Sequence, residues 1–425
     1  MQLQVLAQRV PFEVDGTSWK SYHISWNLPS GESIDDLLRR HSVPNFLQHL
    51  SDPDLAIQVV EHRGIYNFGA GIQECTHTSI HNAIGHDRHL IELDAAMTCD
   101  GVFIACHDFT PWRVAQVENK FVREFHSTEL VGLPVIIREI EDGEVSENNF
   151  VVTNDTIQTI EEILASALAA NPYVTFFVDV REDELPYFVR WISYHPEYSQ
   201  NVVVNFYTFN YRDPETIVQE IEVLAPRSDW MENVALMPVI FGEELSALAL
   251  HQGRRAPYDE DALFTAGETW IDAVARKGLR LVAVNTIYTS ISYEMLGENS
   301  PSAAWNAFRA NQAAERLGEY IRSDDGYLKS LYPHLKLVNN TRTYDYASNV
   351  RGRLKFFNFG FGDGLGNEWE NHEQKYIRRG RATPGNKKCD IIISDRSEDD
   401  ISYLAWEAYG FAHQVNFRTP HLETA

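Results

Sequence analysis

The sequence predicts an α/β protein built as a TIM (β/α)8 barrel, and three observations predict it. First, nine short apolar runs are rich in β-branched residues and nearly continuous rather than alternating: "AIQVVEH", "HLIELDA", "GVFIACH", "YVTFFVDV", "NVVVNFY", "ALMPVIF", "LRLVAVN", "LKLVNN" and "CDIIIS". That pattern suits parallel strands covered on both faces. Second, helical patterns lie between most of these runs, which is the signature of a parallel sheet with crossover helices. Third, the run "GVFIACH" follows its predecessor across "TCDG", whose Asp-Gly is a hairpin signal. It therefore reads as a hairpin partner, and setting it aside leaves eight strands, the barrel number. A doubly wound open sheet is the alternative that strand counting leaves standing.

The helices justify themselves by spacing and caps. "DTIQTIEEILASALAAN" has apolar residues at helical intervals, with Asn154 or Asp155 read as its N-cap. "DPETIVQEIEVLA" and "SAAWNAFRANQAAERLGEYIRS" follow the same logic. Two regions exceed a minimal barrel. Residues 1–55 read as an N-terminal appendage packed on the barrel, which then occupies 56–425. Residues 341–388 read as a long insertion before the last strand, rich in Gly and aromatics ("FFNFGFGDGLGNEWENHEQKYIRRG"). An insertion at the C-terminal end of a barrel strand would lie over the active-site mouth.

The chain has 425 residues, 44% of them hydrophobic, enough for a large core, and a formal net charge of -25. With no basic stripe to offset it, that charge argues against a nucleic-acid backbone or an anionic membrane surface as partner and favours divalent cations. No apolar stretch approaches the roughly 20 residues needed to span a bilayer. The N-terminus lacks the form of a signal peptide. Four cysteines (Cys75, Cys99, Cys106, Cys389) suggest neither a zinc site nor a disulfide framework. A cytoplasmic protein is the simplest fit.

Chemically active side chains gather at strand ends. "EHRGI" closes the first strand: His62 can exchange protons near neutral pH, Arg63 can grip an anionic oxygen pair, and Gly64 lets the chain turn. In "IELDA" alternation puts Glu92 and Asp94 on one face of an otherwise apolar strand. Two adjacent carboxylates there repel and lose hydration unless a divalent cation such as Mg²⁺ or Ca²⁺ joins them. "ACHDF" supplies His107 at the end of the hairpin. "FFVDVRED" puts Asp179 and Arg181 on one face, a third metal ligand and a second phosphate contact. Two histidines, three carboxylates and two arginines suit phosphodiester chemistry. No serine elbow, P-loop or dinucleotide-binding glycine pattern competes with that reading.

In order and spacing, "HRG", "QECT", "ELD", "TCDG" and "HD" resemble the signature of the glycerophosphodiester phosphodiesterase family, a TIM-barrel family of the PLC-like phosphodiesterase type. The resemblance covers residues 58–108 by motif and the other strands only by pattern. It implies His62 and His107 as the acid-base pair, and Glu92, Asp94 and Asp179 as ligands of a divalent cation. Glu74 matches the glutamate of the family's Pro-Glu-Asn-Thr motif, although its neighbours Gln73 and Cys75 are changed. The family's third barrel strand usually carries Glu-x-Lys where this chain has Asp179 and Arg181, and the related sphingomyelinase D toxins have Asp-x-Lys there. The implied reaction is attack of a neighbouring hydroxyl on a glycerol- or sugar-phosphodiester, giving a cyclic phosphate. Transfer to a sugar hydroxyl, as in the similar agrocinopine synthase, is one alternative. A non-catalytic sugar-phosphate binding protein is another.

Overall fold

The computed structural model describes residues 39–340 and 389–394, apart from 68–69, 142–143, 181–182, 243, 255–258, 288–300 and 325, together with short strand segments within 3–26. The insertion expected at 341–388 lies outside the described residues, as does much of residues 1–38 of the appendage expected at 1–55.

The barrel is closed. Its strands are β1 (Gln58–Glu61), β2 (Leu90–Met97), β6 (Thr175–Val180), β7 (Val202–Tyr207), β8 (Ala235–Phe241), β9 (Ala283–Ile287), β10 (Lys336–Asn340) and β11 (Ile391–Ser394). Each pairs in parallel with the next, and β11 returns to β1. All eight coincide with the runs picked out by composition, with β2 and β9 each continuing two residues past theirs. Between β2 and β6 the chain adds β3 (Phe103–Ala105), then a hairpin of β4 (Pro134–Glu141) and β5 (Glu144–Thr156). Strand β3 runs antiparallel to β2, with Ala105 opposite Ala95, as its Asp-Gly turn predicts. The β4–β5 hairpin, which the run-counting above does not include, carries the same Asp-Gly signal between its strands.

Helices cover the outer face: α1 (His77–Gly85), α2 (Ile160–Ala170), α3 (Leu185–Ser193), α4 (Pro214–Val223), α5 (Glu244–His251), α6 (Glu260–Ala275) and α7 (Pro301–Arg322). The start of α2 corrects the sequence expectation. Asn154 and Asp155 end β5, and the N-cap is Thr159, whose side chain accepts from the Glu162 N–H while Glu162 answers in a capping box. The cap moved because tertiary pairing of β5 extended that strand to Thr156, leaving Thr159 as the next residue able to cap.

Alternation divides each strand between two cores. Ile91, Leu93, Phe176, Val178, Val204 and Phe206 pack outward against the helices. Val60, Leu90, Phe177, Val203, Ala235 and Met237 fill the barrel interior. A short helical turn at Phe46–Gln48 precedes β1, and the Phe46 ring joins this interior cluster, 6.1 Å from that of Phe177. Phe46 thus closes the N-terminal end of the barrel. Further along the same inward rows the side chains turn polar: Glu92, Asp94, Asp179, Asn205 and Asn285. The barrel is dry at its floor and charged at the end where active sites of this fold form.

Candidate active site

Backbone geometry at the end of β1 sets the site. Arg63 (φ 57°) and Gly64 (φ 76°) both take left-handed conformations. A Cβ at Gly64 would meet the Ser79 carbonyl carbon and oxygen at 2.7 Å, so only glycine fits there. Arg63 N–H donates to Glu92 Oε2 at 3.0 Å. Its guanidinium is buried between Asp94 Oδ2 at 3.2 Å and Glu74 Oε2 at 3.1 Å. Cys75, also left-handed (φ 53°), donates its backbone N–H to the Arg63 carbonyl and its thiol to Asp94 Oδ2 at 3.4 Å. Two strained residues therefore support one carboxylate, the kind of cost that persists where the surroundings hold it in place.

The three carboxylates predicted to share a cation come together. Glu92, Asp94 and Asp179 each offer an oxygen within 4.8 Å of the others. The parallel register sets Asp179 directly beside Asp94. Burial, then repulsion by Asp94, pushes the Glu92 carboxyl up to about 8. This donor set, all oxygen and crowded with negative charge, fits a hard divalent cation. His62 lies beside it, Nε2 3.7 Å from Glu92 Oε2. Tyr207, at the end of β7, donates its hydroxyl to Asp179 Oδ2.

The end of β3 delivers the second histidine. Cys106 N–H donates to the Asp94 carbonyl at 3.2 Å, so His107 emerges next to the carboxylate strand. Its Nδ1 meets Asp108 Oδ1 at 2.7 Å. Arg113 donates to Asp108 Oδ2 through Nε and to Glu74 Oε1 through an Nη, both at 2.5 Å. Glu74 consequently sits between two guanidinium groups. Burial alone would raise its pKa, yet Arg63 and Arg113 outweigh burial and lower it to about 2. Asp108, only partly buried, is held below the ordinary carboxylate range by His107 and Arg113.

His62, Arg63, Glu74, Glu92, Asp94, Asp179 and His107 are thus placed at one end of the barrel, on β1, β2, β6 and the loops that follow them. Arg181 lies outside the described residues. Sequence reasoning missed Asp108, Arg113, Tyr207 and Asn205. The first stood in the quoted "HD" and the last two break the apolar run "VVVNFY", but nothing local marked Arg113. At the rim, the Tyr207 ring stacks on Phe209 (5.0 Å between centroids) and on Phe241 (5.5 Å). Phe209 remains 36% exposed.

A parallel (β/α)8 barrel with histidines and carboxylates at the C-terminal ends of its strands defines the class: a TIM-barrel enzyme. Residues 62–183 match the sequence model of the Glycerophosphoryl diester phosphodiesterase family. That segment carries the family's sequence pattern, and the protein is a glycerophosphodiester phosphodiesterase-like enzyme. No curated protein sequence matches the chain significantly. Among solved structures, a glycerophosphoryl diester phosphodiesterase from Parabacteroides distasonis is similar at 14% identity, covering 89% of this chain and 92% of that one, with a TM-score of 0.44. A glycerophosphodiester phosphodiesterase from Thermotoga maritima is similar at 12% identity, over 82% and 97% of the two chains, with a TM-score of 0.39. An Oleispira antarctica phosphodiesterase, solved with its product sn-glycerol-3-phosphate, is similar at 12% identity over 82% and 96%, with a TM-score of 0.41. Among the described residues, no helix is long and apolar enough to cross a membrane.

Proposed function

We propose that this site acts on a glycerol- or sugar-phosphodiester with His62 and His107 as the proton carriers and a divalent cation held by Glu92, Asp94 and Asp179. The observation that carries the reading is the gathering of those three carboxylates, with oxygens within 4.8 Å of one another, on strands that also deliver both histidines. A bound Mg²⁺ or Ca²⁺ would supply electrostatic neutralisation of the phosphoryl oxygens. The protein's own groups do the rest. A hydroxyl neighbouring the phosphate attacks phosphorus while one histidine takes its proton. As the opposite P–O bond breaks, the other histidine gives a proton to the departing alcohol. The product is a cyclic phosphate, which water can open by the same steps reversed. Asp108 accepts from His107 Nδ1 and so leaves Nε2 for the reacting oxygen.

A second reading, transfer to a sugar hydroxyl in place of water, is favoured by the aromatic rim of Tyr207, Phe209 and Phe241. The negative faces of such rings attract the polarised C–H face of a sugar. ³¹P NMR with a panel of glycerol and sugar phosphodiesters, with and without sugar acceptors, separates cyclic product, monoester and new diester. Replacing His62 or His107 by Ala should lower kcat roughly 100- to 10,000-fold with the fold retained. EDTA should abolish turnover, and Mg²⁺ or Ca²⁺ should restore it. Full activity in either variant would remove that histidine from the reaction, and an unchanged rate in chelator would remove the cation.

A further inference from the structure

Strand β7 brings one more polar side chain into the barrel. Asn205 pairs in parallel register with Asp179, which in turn pairs with Asp94, so the three stand in one row across adjacent strands. Alternation fixes its direction. Val203, two residues earlier, packs in the barrel interior, whereas Val204 and Phe206 pack outward. Asn205 is 3% exposed, and among the described residues its Oδ1 has no hydrogen-bond partner. Its other register neighbour is Met237, which offers no donor. An amide so placed costs about 1–3 kcal/mol of uncompensated desolvation, and a valine or leucine would avoid that cost. A cation in the neighbouring seat would answer it.

We infer that Asn205 supplies a fourth protein oxygen to the cation seat of Glu92, Asp94 and Asp179, and that the seat thereby prefers Ca²⁺ to Mg²⁺. The inference rests on the cation-dependent reading of the site. A neutral carbonyl adds a ligand without adding charge to a cluster already crowded with carboxylates. Ca²⁺ accepts 6–8 oxygens, carbonyls included, in a flexible shell of about 2.3–2.6 Å, whereas Mg²⁺ demands a tight octahedron and keeps several waters. Four protein oxygens on three adjacent strands suit the larger ion.

Isothermal titration of the full chain with Ca²⁺ and with Mg²⁺ tests this, alongside thermal unfolding of each cation-free protein. The wild type should bind Ca²⁺ more tightly than Mg²⁺. Asn205→Ala and Asn205→Leu should each weaken Ca²⁺ binding about 10-fold or more and narrow its advantage over Mg²⁺. Leucine fills the space of the amide, so Asn205→Leu should match or exceed the wild type in cation-free Tm and exclude misfolding as the cause. If the wild type binds Ca²⁺ and both variants bind it equally well, Asn205 is not a ligand and the inference falls alone. A wild type that binds Mg²⁺ as tightly as Ca²⁺ overturns the stated preference. If the wild type binds neither ion, the cation-dependent reading falls, and this inference falls with it.

Discussion

Asp108 is the residue whose neighbours say most about the chemistry. It accepts from His107 Nδ1 on one oxygen and from Arg113 on the other, and Arg113 continues to Glu74. A carboxylate in that position fixes the tautomer and orientation of the imidazole rather than reacting itself. Such supporting partners typically contribute 10- to 100-fold to activity. Asp108→Asn retains an acceptor for Nδ1 and should lower kcat about 10-fold. Asp108→Ala should lower it about 100-fold, and in both variants KM should change little. Steady-state kinetics on a phosphodiester that the wild type turns over will check this, and a rise in KM with kcat unchanged would make Asp108 a substrate contact instead. The groups proposed to react were legible in the sequence because their spacing is local: "HRG", "ELD" and "HD" each fit within a few residues. Arg113 was not, because its partners Asp108 and Glu74 meet only after the β2–β3 hairpin folds back. Asn205 was not, because its meaning lies in its register with Asp179.

At the scale of elements, apolar runs made the strands legible, and the Asp-Gly turn made one antiparallel partner legible. What composition could not convey is where the barrel floor closes. The turn at Phe46–Gln48 has no strand or helix periodicity of its own. Its function is to place one ring under Val60, Leu90 and Phe177, with Val43, Leu47, Leu50 and Leu55 packed around it. Truncating a fully buried phenylalanine costs about 3–5 kcal/mol, because the cavity it leaves only partly collapses. Phe46→Ala should therefore destabilise the chain by about 3–5 kcal/mol in urea unfolding with an unchanged m-value. The rate at 25 °C should stay near wild type, since the floor lies at the opposite end of the barrel from the histidines. A loss below about 1 kcal/mol would mean that residues near 46 are not a working part of the barrel. The β4–β5 hairpin escaped the run-counting for a different reason: "VIIREIE" and "VSENNFVVTNDT" mix charge and polar residues into the strand pattern, with Val135–Arg138 buried on β4 while Val151 and Val152 stay exposed on β5.

For the whole molecule, the closed eight-strand barrel followed from the count of runs and the crossover helices, while its response to pH follows from groups that no count identifies. The chain carries a formal charge of -25, yet its buried core near the site is knit by cations: Arg63 and Arg113 enclose Glu74. Burial raises the Glu74 pKa and the two guanidinium groups more than reverse it, from 4.5 to about 2. A carboxyl with a depressed folded pKa contributes stability that is fully present above its unfolded value and is lost as pH falls through its folded value. At roughly 1 kcal/mol or a little more per pKa unit, Glu74 contributes about 3 kcal/mol at pH 7, and roughly half of that remains at pH 3. Glu74→Gln mimics the protonated form and isolates this group from every other titration in the protein. The variant should be about 3 kcal/mol less stable than wild type at pH 7, with the gap roughly halved at pH 3, both read from urea unfolding in the cation-free protein. A gap that stays constant between pH 7 and pH 3 would place its origin in packing rather than charge. Equal stability at pH 7 would mean that the arginines find other partners when Glu74 is neutral.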